Sequence, residues 1–324
     1  MKRIVLPIAL VVVLLSTPLF GRAAVEAQQL TIRMAAMQGP SGFGTVGLQR
    51  DGGAIGQNTV VELSVYPSPN EVIARLVNGE LDAAALPTNV AANLWAKGVG
   101  IKTAAVIGEG MLMFLSTDDT ITELSDLQGR RIYVPGAGST PDQMANILLM
   151  ALGFDAETDI IYDYSVAAPA QLAQMLIANR VDLAILPEPF VTMVKAANPR
   201  VFPLIDVQQL WSALTGTGNY PMTVFVVSDA FVAAHKEKVP LLMEALSNSI
   251  NWVNANPSEA GAMIEEAGIM NAQMATPAIS KSNLVFRSAK EAYEAMDIYL
   301  KVLYGFDYSS IGGEVPDASF YLSY

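Results

Sequence analysis

The sequence has no cysteine and a single histidine, His235. The first absence removes disulfides, cysteine nucleophiles, thiolate metal sites and the lipid-modified cysteine that tethers many exported proteins. The lone histidine lies in AAHKEK and reads as part of a solvated helix face. Charge is sparse and one-sided: 15% of residues are charged, with 19 Lys and Arg against 31 Asp and Glu, a formal net charge of −12. That balance argues against nucleic acid and against an anionic membrane surface, both of which attract basic patches. A small anionic ligand is still allowed, because local dipoles act at short range. Gly-x-Ser-x-Gly and His-Glu-x-x-His are missing, and GAGSTP and TGTGNY match neither a dinucleotide nor a P-loop fingerprint. No spacing among the many carboxylates singles out an acid–base pair.

Long apolar runs are also scarce, with one exception. MKRIVLPIALVVVLLSTPLFGRAAVEAQ has a basic start (Lys2, Arg3), an apolar stretch from Ile4 to Phe20 and small residues at Val25-Glu26-Ala27. It reads as a secretory signal over residues 1–27; the alternative is an uncleaved helix that tethers the chain. The expected address is the bacterial periplasm. The full chain is 52% hydrophobic, and what remains is long enough for two domains with ordinary buried cores.

Two stretches nearly repeat each other. LVNGELDAAALPTNVAANL begins at Leu76 and LIANRVDLAILPEPFVTMV at Leu176, so that Leu76, Asp82, Ala84, Leu86 and Pro87 recur 100 residues later. Gly79 maps onto Asn179, and these two residue types best tolerate a left-handed backbone at a helix end. The unit reads as helix, turn, strand, turn, and its reuse points to two similar lobes, although the pattern also serves as a general joint in α/β folds. Around it, strands are expected at 30–36, 59–66, 103–107, 131–134, 159–163 and 223–227. Helices are expected from Pro69, Pro141, Pro169, Asp229, Pro240, Ser258 and Lys290, with capping-box spacing at Ser68/Glu71 and Thr140/Gln143. This alternation indicates an α/β chain with parallel sheets. Ligands of such sheets bind beyond the carboxyl ends of the strands, where Pro87-Thr88-Asn89 and Pro187-Glu188-Pro189 both fall.

The order GELDAAALP, ITELSDLQGRRIYVPGAGST, RVDLAILPEPF and MTVFVVSDAFVAAHKEKVPLLMEALSNSINWVNANPSEA resembles the solute-binding proteins of bacterial ABC importers. The similarity is to the branch containing aliphatic-sulfonate, taurine and thiamine-pyrimidine binders. It implies a bilobed type II periplasmic-binding fold: lobe one from 28–114 plus 225–324, lobe two from 115–224, with crossings near Phe114 and Phe225. It also implies a small-molecule ligand, a membrane permease with a cytoplasmic ATPase as partner, no cofactor, no metal and no catalysis. A monomer is expected. A ligand-sensing receptor without transport, or a same-fold enzyme of cofactor biosynthesis, are the alternatives; the yeast-type pyrimidine synthases rely on a cysteine-rich motif that is missing here.

Helix starts carry unpaired N–H groups that suit anionic ligand groups. Ser41, Thr88, Ser139, Thr140 and Glu188 are therefore ligand-binding candidates. Thr88, Ser139 and Thr140 match motif positions of the sulfonate branch. Thr88 and Thr140 can equally serve as caps of their own helices, which leaves Ser139 as the freer hydroxyl. Glu188 would repel a sulfonate but accept from an amino group or protonated ring, or it is simply an acid well placed at a helix start. Tyr66, Phe190 and Tyr220 are candidates for stacking on a flat ligand, with Phe43 and Trp95 behind them. Glu109, in GEGM, follows a strand end and can reach a ligand or solvent. Arg33, in the first strand, needs a partner or the cleft.

Overall fold

The computed structural model describes residues 29–67, 69–155 and 158–323. The signal-like residues 1–27 and the capping residue Ser68 lie outside these. The chain begins with β1 (Leu30–Met37), α1 (Pro40–Thr45), β2 (Ala54–Gly56), β3 (Thr59–Tyr66), α2 (Pro69–Val77), β4 (Ala83–Pro87), α3 (Thr88–Ala96) and β5 (Ile101–Glu109). It continues through β6 (Leu112–Ser116), β7 (Arg131–Tyr133), α4 (Thr140–Ala151), β8 (Ile161–Asp163), α5 (Pro169–Ile177), β9 (Leu183–Pro187), α6 (Phe190–Ala197), β10 (Phe202–Asp206) and α7 (Val207–Thr215). The rest is β11 (Pro221–Ser228), α8 (Asp229–Ala234), α9 (Val239–Ala255), α10 (Pro257–Glu266), α11 (Ala272–Ile279), β12 (Leu284–Ser288) and α12 (Ala289–Phe306).

Two sheets result. One has the order β12-β5-β11-β4-β1-β3-β2 and the other β10-β6-β9-β7-β8. Inside them the same four-strand pattern occurs twice, as β11-β4-β1-β3 and as β6-β9-β7-β8. In each, the strand of the sequence repeat is flanked by a parallel strand (β1 or β7) and an antiparallel one (β11 or β6). The sheets are therefore mixed and not purely parallel, because β6 and β11 are the strands that carry the chain between lobes. This is the bilobed type II periplasmic-binding fold. The expected crossing points Phe114 and Phe225 each sit inside a strand, in β6 and β11. The chain changes sheets earlier, between Glu109 and Leu112 and again just before Pro221.

The two copies of the repeat close their helices alike. Gly79 has φ 69° and Asn179 φ 53°. The N–H of Glu80 donates to the Arg75 carbonyl at 2.9 Å and that of Gly79 to Leu76 at 3.0 Å; Arg180 to Met175 (2.9 Å) and Asn179 to Leu176 (3.2 Å) repeat the pair. These are Schellman closures, which need a left-handed residue at that place. Leu76 and Leu176 are buried beneath them, and the first four residues of β4 and of β9 are buried as well. A buried leucine contributes roughly 1.5–3 kcal/mol, so each copy anchors its own core. Asp82 of the first copy also accepts from the Arg33 backbone at 2.8 Å and from its guanidinium at 2.7 and 3.0 Å. That pairing gives the charge in β1 its partner and holds Arg33 at the amino end of β4, opposite the end where Pro87 stands.

Candidate functional site

The carboxyl ends of the strands in both lobes face one cavity of about 140 Å³. Lobe one contributes the turn from Met37 to Ser41 after β1, and Pro87 at the end of β4. From lobe two come Thr140, Pro169, Pro187, Glu188 and Phe190. Met111, between β5 and β6, and Met222 and Thr223, at the start of β11 just past the second crossing, complete the lining. The positions follow from pairing: Thr223 of β11 is opposite Pro87, and Leu112 of β6 is opposite Pro187. The floor of the cavity is therefore built at the crossings and from the first residues of the returning strand β11. Its walls are mostly methionine, proline and phenylalanine, with no lysine, arginine or histidine among them. The volume falls below the roughly 300–1,000 Å³ typical of sites for drug-sized molecules. A larger groove of about 730 Å³ lies beside Tyr293 and Tyr321, but it involves lobe one alone and no acidic side chain lines it.

Four candidates meet here: Ser41, Thr140, Glu188 and Phe190. The Ser41 hydroxyl exchanges bonds with the Met37 backbone, donating to its carbonyl at 3.3 Å and accepting from its N–H at 3.2 Å. Glu188 is 5% exposed and accepts from the Thr192 N–H and hydroxyl, both at 3.0 Å. Its carboxyl thus occupies the amino end of α6, as the reading of an acid well placed at a helix start expects. Burial raises its pKa; the bonds from Thr192, with Lys281 and Lys195 beyond, oppose that only in part.

The other five are engaged elsewhere. Ser139, not Thr140, caps α4, accepting from the Asp142 N–H at 3.4 Å. The expected roles are exchanged, because one residue along a helix turns the side chain by about 100°. Thr88 is fully buried and donates to the Pro221 carbonyl at 2.8 Å, fastening α3 to the returning strand. Glu109 is ion-paired with Arg287 of β12, and burial raises its pKa against that pairing. Tyr220 has no exposed surface; it packs between Trp211 and Tyr299, with ring centroids 5.7 and 5.6 Å away. Tyr66 carries the Arg75 guanidinium over its ring at 5.0 Å and does not line the cavity. Phe43 is core, and Trp95 packs on Phe320.

Sequence reasoning passed over Met37, Met111, Met222 and Thr223. In a chain with 15 methionines these look like core. The available signal was position, since Met111 and Met222 each stand three residues before an expected crossing point, Phe114 or Phe225. A second carboxylate adds to the electrostatics. Asp142, buried in the first turn of α4, accepts from the Gly138 N–H and the Tyr164 hydroxyl, both at 2.7 Å. The amino ends of α4 and α6, where an anion would be welcomed, are thus each occupied by a carboxylate of the chain itself.

The architecture has close structural counterparts. A crystal structure of an ABC transporter from Parabacteroides distasonis is 25% identical, with TM-score 0.78, and the match covers 90% of this chain and 99% of that one. The periplasmic aliphatic sulphonate-binding protein SsuA from Escherichia coli is 14% identical, with TM-score 0.68 over 90% and 92%. The periplasmic nitrate-binding protein NrtA from Synechocystis PCC 6803 is 13% identical, with TM-score 0.65 over 87% and 82%. No curated protein matches the sequence. The profile of the NMT1-like family runs over residues 49–267, through both crossings and both copies of the repeat, and the chain belongs to that family.

Proposed function

We propose that this chain is the extracytoplasmic solute-binding component of an ABC importer, and that it captures a small, largely apolar molecule presenting an amino or ring N–H group. Glu188 carries the reading of the ligand: a buried carboxyl at the cavity wall, with no cationic side chain opposite it. A carboxylate there accepts from a donor and repels an anion. Met37, Met111, Met222 and Phe190 offer a polarizable surface on which a flat ring packs well. The role in import is supported by the binding components among the structural neighbours, which also speak for binding without chemical turnover. Export into the periplasm and docking of a monomer on a permease with its ATPase complete the proposal. Among the described residues no helix is long and apolar enough to cross a membrane.

The test is thermal unfolding of the purified chain against 4-aminopyrimidine and related amino-heterocycles, ethanesulfonate and nitrate. A ligand at 100 times its dissociation constant adds about 2.7 kcal/mol, a shift of several degrees. The expected result is a shift with an amino-heterocycle that Glu188→Gln removes. A shift with ethanesulfonate or nitrate that survives Glu188→Gln would overturn the ligand class. It would leave the importer role standing.

A further inference from the structure

Gln143 has no task in what precedes. The spacing from Thr140 suggests a capping box, yet Ser139 is the cap and the Gln143 side chain makes no return bond. It is 4% exposed, and its Oε1 is buried with no hydrogen-bond partner among the described residues. Leaving such a group unpaired costs about 1–3 kcal/mol, so its placement calls for a partner that arrives in another state of the molecule.

The opposite lobe presents a carboxamide beside the first turn of α4. Thr140 lies three residues before Gln143, on the same face of α4 and about 4.5 Å along its axis. The Thr140 hydroxyl reaches across the cleft to Oδ1 of Asn89, in the first turn of α3. That contact measures 3.4 Å, longer than the usual O–H···O distance of about 2.7–2.8 Å. Asn89 is 5% exposed, and among the described residues nothing accepts from its Nδ2. Among the described residues, lobe one thus offers a carboxamide donor that no hydrogen bond uses and lobe two a carboxamide acceptor likewise unused, and the Thr140–Asn89 bond beside them is long. Neither Asn89 nor Gln143 lines the cavity.

We propose that Asn89 and Gln143 form an interlobe clasp. A small further closure of the cleft shortens the Thr140–Asn89 bond and brings the two carboxamides together. Carboxamides are self-complementary, each with two donor hydrogens and an acceptor oxygen, so they pair whichever way either is turned. The clasp stabilises the closed form from outside the cavity, and every ligand that lets the lobes close gains by it. Both are positioning residues. The inference rests on the two-lobe architecture and not on the ligand class, so a cleft that took anions would leave it untouched.

The absence of cysteine supplies a clean test. The double variant N89C/Q143C carries only the two thiols of interest, and a disulfide between them requires Cα atoms within about 7 Å. Treated with a mild oxidant, it is expected to form an intramolecular cross-link, seen as a mass loss and a mobility shift reversed by reductant. N89C/T140C, across the existing contact, gives the reference yield. A cross-link in N89C/T140C without one in N89C/Q143C overturns the clasp. For function, spin labels are placed at the exposed Lys97 of lobe one and Lys195 of lobe two through K97C/K195C. Adding Q143L or N89L to that pair is expected to raise the longer-distance population at least twofold without ligand, and combining both to raise it no further. An unchanged distance distribution in the folded variants means that Gln143 is merely buried, and the proposal fails.

Discussion

Replacing Gly110 by alanine tests how tightly the two crossings are locked together. Gly110 is the first residue past β5, and its N–H donates to the Tyr220 carbonyl at 2.9 Å. Its own carbonyl accepts from the side chains of Asn219 and Asn283. A Cβ at this position would stand 2.2 Å from Cε1 and 2.3 Å from Cζ of Tyr220, and 2.8 Å from Oδ1 of Asn219. Carbon atoms rest at about 3.5–4.0 Å, so the ring must retreat by more than roughly an ångström. It has nowhere to go, because Tyr220 is fully buried between Trp211 of lobe two and Tyr299 of lobe one. Overpacking costs about 1–3 kcal/mol, and a clash with a trapped ring belongs at the upper end. At about 2–4 °C per kcal/mol, Gly110→Ala is expected to lower Tm by roughly 6–12 °C. Gly218→Ala, in the same loop region but with no atom within 4 Å of its Cβ, is the control and should stay near wild type. In a Tyr220→Leu background the Gly110→Ala penalty should fall by more than half, since the two sites share one space. A Tm for Gly110→Ala within about 2 °C of wild type would refute the idea that the crossings are sterically locked.

Three further outcomes are expected. Thr88→Val removes the hydroxyl that donates to the Pro221 carbonyl inside the core, so urea unfolding should show a loss of about 1–3 kcal/mol while ligand affinity is unchanged. Gly79→Asn, which copies Asn179 of the second repeat, should cost less than Gly79→Ala, whose left-handed backbone (φ 69°) is strained by about 1–2 kcal/mol; thermal melts of the two variants decide it. Glu188 has a raised pKa, so its folded form favours the proton; its contribution to stability is complete below pH about 4.5 and declines as pH rises through the higher folded pKa. The Tm of Glu188→Gln minus that of wild type should therefore become more positive from pH 4.5 to 7, and a flat difference would contradict the burial of an ionisable carboxyl.

The sequence announced its duplication through residues with backbone consequences. Gly79 and Asn179 are left-handed, and Pro40, Pro69 and Pro169 each open a helix, because such residues restrict φ wherever they stand. Edges and interruptions were harder to read. β10 holds Pro203 beside a register shift, which only an edge strand tolerates, and α11 carries Pro277 inside it. Neither those two elements nor β12 stands out in the sequence. At the site, Glu188 and Phe190 could be found because the repeat fixes where the strand ends. Ser139 and Thr140 were exchanged by a one-residue error in the helix start. Tyr220 could not be placed, since its burial depends on Trp211 and Tyr299, and the chain brings Tyr299 to it from 79 positions away.

The placement of Met111, Met222 and Thr223 at both the crossings and the cavity floor has a cost for adaptation. In a receptor whose pocket is separate from its moving parts, recognition and the rate of opening can be adjusted one at a time. Here any substitution that reshapes the floor for a new molecule also alters the segments that join the two sheets. Under the proposed importer role, retuning what is captured and retuning how fast it is handed over are therefore a single change. New specificities in this chain are expected to arise first on the walls, at Ser41, Glu188 and Phe190, where a side chain can be exchanged without touching the motion.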